Sequence, residues 1–169
     1  MSDLLNNKIV YHIDANFILN YLIVDNHDLN EKVRSKLMRH DWGNDKYRLN
    51  THAIGEISTR LFTKIILKSQ INNIELYNKL NSLRRIFKEG YIDILKLNTV
   101  KGKWLGYYNE LRELDNRIED ADILNLAYFC ADSESRIFYT FDMGIAESKK
   151  INEYIKQIDG NNRKIKGIE

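Results

Sequence analysis

The chain has 169 residues, within the roughly 100 to 200 that one domain usually occupies, so a single unit spanning 1–169 with its own core is expected. Hydrophobic residues make up 43% and charged residues 30%, which excludes a disordered chain, and a net charge of +2 excludes a global pull toward polyanions. No run approaches the ~20 apolar residues of a membrane helix, the first residues carry no basic-then-apolar leader, and the single Cys130 excludes a disulfide framework, so a cytoplasmic protein without membrane contact is expected.

Along the chain, Lys8 to Ile13 is a short β-branched run that reads as a strand, with one polar break at Asp14. Ala15 to Val24 then continues at helical spacing through Phe17, Ile18, Tyr21 and Leu22, and Leu29, Val33, Leu37 and Met38 predict a second amphipathic helix. Arg48 to Thr51 is a weak strand. A helix from about Ala53 carries Ile54, Ile57, Leu61, Ile65 and Ile66, and Leu76, Leu80, Leu83 and Phe87 repeat the spacing. Residues 53–88 therefore read as a helical hairpin turning at Asn72 and Asn73.

Tyr91 to Leu97 alternates as a strand does, and helices follow over Trp104 to Leu114 and Glu119 to Ala131. Arg136 to Thr140 predicts another strand, with a helix after Asp142. Gly160 to Glu169 is polar and basic, suited to a flexible tail or, through Ile165, an edge strand. Strands separated by helices imply an α/β fold: three layers, α/β/α, around a parallel sheet of four to five strands. Ligands in such folds bind beyond the carboxyl ends of the strands.

That edge collects carboxylates. Asp14 follows the first strand, Asp142 follows the last predicted strand before its helix, Glu56 lies in the first turn of the helix after Arg48 to Thr51, and Asp120 and Asp122 open the helix toward Ala127. Each has a plain structural explanation, because Asp caps helices and acids favour the first helical turn. Four elements that each begin with an acid at one edge are harder to explain by capping alone.

The segments Ile13-Asp14-Ala15-Asn16, Asn50 to Glu56, Asp120 to Ala127 and Tyr139-Thr140-Phe141-Asp142, in this order, resemble the PIN domain of metal-dependent ribonucleases over nearly the whole chain. The resemblance implies that Asp14, Glu56, Asp122 and Asp142 are the catalytic acids and hold one or two Mg2+ or Mn2+ ions, with Asp120 as a further ligand. Asp122, five positions before Ala127, matches the third acid better than Asp120. Asn16 and Thr140 match positions that steady the pocket by hydrogen bonds. The implied activity is endonucleolytic cleavage of single-stranded or loop RNA. Implied partners are a small antitoxin, as for many relatives, and a second copy in a homodimer. The sequence departs from the family pattern in the long hairpin, in Phe141, and in Leu124 and Asn125, where small residues are usual.

The chemistry is consistent with the residue types. Hard divalent cations want oxygen ligands, clustered carboxylates without a cation repel one another, and metal-assisted hydrolysis at phosphorus needs no covalent protein nucleophile. Lys101, Lys103, Trp104, Tyr107 and Arg112 mix cations with aromatic rings as single-stranded nucleic-acid surfaces do, although the rings would serve equally as core. His52 and Glu56 share a helical spacing without an HExxH pattern, and no phosphate-binding glycine loop is present. Two competing readings are a non-cleaving module of the same fold that binds RNA or protein, and a phospho-accepting domain with Asp14 as acceptor.

Overall fold

The computed structural model describes residues 9–23, 31–35, 46–63, 73–95, 100, 102–158 and 162–168. Branched and aromatic residues form β1 (Val10–Ile13), which ends at Asp14 as α1 (Ala15–Ile23) begins. Residues 31–35 are helical and bury Val33. There follow β2 (Lys46–Asn50), α2 (Thr51–Phe62), α3 (Asn73–Lys88), β3 (Ile92–Leu95), α4 (Lys103–Leu114) and α5 (Asp120–Ala131). The order closes with β4 (Ser135–Thr140), α6 (Met143–Glu147), α7 (Lys149–Gln157) and β5 (Lys164–Gly167).

Among the described residues the strands form one parallel five-stranded sheet in the order β3-β2-β1-β4-β5. The chain builds outward from β1 to β3 on one side, then returns to place β4 and β5 on the other. The reversal falls between β1 and β4, where Ile13 pairs with Tyr139. In parallel α/β sheets that crevice is the usual ligand position.

Alternation along the strands feeds two cores, one on each face. Ile13, Phe17, Leu49 and Leu83 gather under α1, α2 and α3, and Tyr11 stacks on Tyr139 with ring centroids 5.2 Å apart. Phe129, Phe138, Leu111, Ile151 and Ile155 gather under α4 to α7 on the opposite face. Cys130 is buried in this second core. The result is the three-layer α/β/α arrangement with a parallel sheet that the alternation predicts.

Several boundaries differ from the sequence reading. Helix α2 starts at Thr51, not near Ala53, because the Asn50 side chain accepts a hydrogen bond from Ala53 N and caps it directly off β2. Glu56 therefore sits in the second helical turn, not the first. Asn73 is the first residue of α3 and not part of a turn. The segment after Asp142 is two helices divided at Ser148, and Lys164–Gly167 is a parallel edge strand on β4. Leu29, Leu37, Met38, Asn72 and Leu97 lie outside the described residues.

Toward the amino end of the sheet an ion network ties the layers. Arg48 Nη1 donates to both Asp132 oxygens at 2.9 and 2.8 Å, and Arg48 Nη2 reaches Glu134 at 2.6 Å and Asp93 at 3.2 Å. Buried Arg163 donates to the carbonyls of Phe129, Cys130 and Asp132, satisfying groups the end of α5 leaves open. No described helix is long and apolar enough to cross a membrane.

Candidate active site

Asp14 leaves β1 at the sheet reversal and is 1% exposed. Its Oδ1 accepts from Phe17 N at 2.9 Å, and its Oδ2 accepts from the Thr140 hydroxyl at 2.6 Å. Thr140 Oγ1 in turn accepts from Asp142 N at 2.9 Å, while Asp142 Oδ1 accepts from Ile145 N at 3.3 Å and caps α6. One hydroxyl therefore couples the ends of β1 and β4. Both aspartates cap helices, as the plain explanation requires, and both also face the reversal.

Burial is the largest influence on Asp14 and raises its pKa to about 6; the Thr140 and Phe17 hydrogen bonds oppose the rise, and the charges of Glu56 and Asp142 add to it. Asp122, 7% exposed in α5, is pushed to about 7 by burial and then by Asp14, Asp142, Glu56 and Glu119. Glu56 projects from α2 with its side chain 11% exposed; Oε1 pairs with Arg60 at 2.8 Å, and Oε2 is buried without a hydrogen-bond partner. Asp14, Glu56, Asp122 and Asp142, delivered by four different elements, thus act on one another electrostatically.

The remaining predicted residues take other places. Asp120 is 65% exposed and pairs with Arg112 Nε at 3.0 Å, about half a turn around α5 from the direction of Asp122. Asn16 accepts a 3.4 Å hydrogen bond from Arg60, so its link to Glu56 runs through that guanidinium. Trp104 stacks on Tyr128 at 5.5 Å and, with Tyr107, packs half-buried against the second core. Lys103 is exposed at the start of α4, Arg112 is engaged by Asp120 and by the carbonyls of Asn116 and Ile118, and Lys101 lies outside the described residues.

Sequence reasoning gave no site role to four contributors. Arg60 stands one helical turn from Glu56, a spacing that signals an i,i+4 ion pair. Asn50 and Asn125, both fully buried, are joined by a 2.8 Å hydrogen bond across 75 residues of sequence, and no local signal could have paired them. Fully buried His12 lies 3.2 Å from Asn50 Nδ2. Burial, foremost, lowers the His12 pKa to about 3, so the ring is neutral at physiological pH.

No family model matches the sequence, and no curated protein matches it. In shape the chain is similar to one in the crystal structure of VapBC2 from Rickettsia felis bound to a DNA fragment from their promoter. The TM-score is 0.55 at 14% identity, over 95% of this chain and 100% of that one. At this identity the likeness is one of fold.

The site can be tested against a metal by its donors. Carboxylate oxygens alone suit a hard divalent cation, burial and then neighbouring acids disfavour the charged forms of Asp14 and Asp122, and the orphaned Glu56 Oε2 lacks a donor. Among the described residues no three His, Cys, Asp or Glu side chains converge on one ligating point. Charge and donor type fit a cation, while the ligands stand apart.

Proposed function

We propose that this chain is a divalent-metal-dependent endoribonuclease of PIN type acting on single-stranded or loop RNA. The observation that carries the reading is that Asp14, Glu56, Asp122 and Asp142, from four elements at the carboxyl edge of a parallel sheet, lie near enough to act on one another electrostatically, with Asp14 and Asp122 buried. Bound Mg2+ or Mn2+ would supply water activation and charge neutralisation at phosphorus. Asp14, Glu56, Asp122 and Asp142 would hold it, Asp14 being kept in place by Phe17 N and the Thr140 hydroxyl. Arg60, 47% exposed beside Glu56, offers a cation at the rim where an RNA phosphate would approach. Lys103 and Arg112, together with Lys101 outside the described residues, are proposed as further cations that attract RNA, while Trp104 and Tyr107 pack against the core.

The fold likeness to a chain of the VapBC2 complex is in keeping with a toxin role and an antitoxin-type protein partner, and the proposal extends to a cytoplasmic protein working as a homodimer. The test is cleavage of a labelled, mostly single-stranded RNA with Mg2+, with Mn2+ and with chelator, comparing wild type with Asp14→Asn and Asp142→Asn. Metal-dependent cutting by the wild type, absent from both variants, is expected. An inert wild type whose melting temperature does not respond to either metal would instead favour a non-cleaving binding module.

A further inference from the structure

Each acid-bearing element or junction also carries a polar side chain with 0% exposure; besides Thr140 at the end of β4, these are His12 on β1, Asn50 at the end of β2 and Asn125 on α5. His12 is two residues before Asp14, Asn50 six before Glu56, and Asn125 three after Asp122. The three meet. Asn50 Nδ2 lies 2.8 Å from Asn125 Oδ1 and 3.2 Å from His12 Nε2, and Asn50 Oδ1 lies 2.7 Å from Ala53 N.

The α2 cap fixes every orientation in this chain of contacts. A backbone N–H can only donate, so the Asn50 atom facing Ala53 N is its oxygen, and both amide hydrogens are committed to the other two partners. Asn125 must present its oxygen, and His12 Nε2 must carry a lone pair, which leaves the ring hydrogen on Nδ1. His12 Nδ1 and Asn125 Nδ2 are then buried donors without hydrogen-bond partners. A partly satisfied polar cluster costs stability relative to apolar packing, so its return lies in fixing one geometry.

We propose that Asn50 is the positioning residue of the acid site: its amide locks β1, α2 and α5 together and so sets where Glu56 and Asp122 stand relative to Asp14. The inference adds to the nuclease reading, and its first readout is independent of it. Ring-nitrogen NMR of the metal-free wild type should show His12 protonated at Nδ1 and unprotonated at Nε2. The opposite tautomer would overturn the assignment whether or not the protein cuts RNA.

The functional arm compares Asn50→Ser, which keeps a capping oxygen but has no amide donors, with Asn125→Leu, which leaves the cap intact. Each is expected to lower kcat about 10- to 100-fold, the usual loss when a group orienting a ligand is removed. KM should stay within about twofold, since the substrate-facing surface is unchanged. Because both break one link, the double variant should be no slower than the slower single variant, whereas multiplied losses would refute a shared link. Unchanged kcat in folded Asn50→Ser would also refute it. If Asn50→Ser loses its cooperative melt, Asn125→Leu carries the comparison alone. Should the wild type prove inert toward RNA, the nuclease reading fails, and the His12 tautomer still decides the Asn50 assignment.

Discussion

Replacing Asp14 with asparagine is expected to stabilise the metal-free protein near pH 8. The variant keeps the side-chain shape, its Oδ1 still accepts from Phe17 N, and the Thr140 hydroxyl can accept from the new amide in place of donating. What disappears is a charge at 1% exposure beside Glu56 and Asp142. Burial and those neighbours raise Asp14 from 3.8 to about 6, so the native state binds this proton more tightly than the unfolded chain. The stability gained from that proton is complete below about pH 4 and is lost as pH rises through about 6. A rise of roughly two pH units at about 1.4 kcal/mol each gives a loss near 3 kcal/mol, which asparagine does not suffer. Urea unfolding followed by tryptophan fluorescence at intervals between pH 4 and pH 8 measures the difference between the two proteins. It should move by about 3 kcal/mol in favour of the variant across that range. A flat difference, or one that favours wild type as pH rises, would show that Asp14 is only a helix cap. Saturating Mn2+ should reverse the order, since a ligand at about 100 times its Kd stabilises the protein that binds it by about 2.7 kcal/mol.

Asp120→Asn should cut RNA within about threefold of wild type, because an exposed ion pair with Arg112 contributes little, whereas Asp122→Asn should lose cutting; parallel initial rates decide the pair. Thr140→Val removes the donor that lowers Asp14, so the fall in metal-free stability with pH should move to higher pH, with an overall cost of about 1 to 3 kcal/mol in urea. Arg48→Met leaves Asp132 buried without its cation and should cost about 3 to 5 kcal/mol of unfolding free energy. At the far end of the sheet, it should leave the Mn2+-induced rise in melting temperature intact.

The alternation of strands and helices was legible because each element carries its own apolar period. Boundaries were not, where a polar residue decides them. Thr51 and His52 add nothing to the apolar pattern of α2, yet Asn50 caps ahead of them, and this moves Glu56 two residues deeper into the helix, from its first turn to its second. Strand β5 is Lys-Ile-Lys-Gly, so short and charged that the sequence left it open between a tail and an edge strand through Ile165, and the edge that β4 offers decides for the strand. Placing acids at strand ends brought Asp14, Glu56, Asp122 and Asp142 to one edge. The choice between Asp120 and Asp122 rests on helix phase: Asp122 shares the buried side with Leu126 and Phe129, and Asp120 does not. The links across the chain, Asp14 to Thr140 and Asn50 to Asn125, span 126 and 75 residues and leave no trace in local pattern.

Capping and catalysis are not rival explanations of these acids, because the same placement serves both; the direction of the proton affinity separates them. An acid whose work is structural should be held charged by its partners. Asp132 is such a case. Burial would raise it, yet the Ser135 hydroxyl and Arg48 outweigh burial and hold it below the ordinary carboxylate value. Arg117 likewise holds Asp115 well below that value. Asp14 also has two hydrogen bonds that favour its charged form, and a cap in water would titrate low for that reason. It titrates high, because burial and the neighbouring Glu56 and Asp142 outweigh both bonds, and Asp122 follows the same rule with no bond to offset it. A fold that supplies Arg48 and Arg163 to the amino end of its sheet leaves Asp14 and Asp122 at the carboxyl end to repel their acidic neighbours. Protons on Asp14 and Asp122, or a bound cation, would each relieve that repulsion, and the pH dependence of stability with and without Mn2+ separates the two.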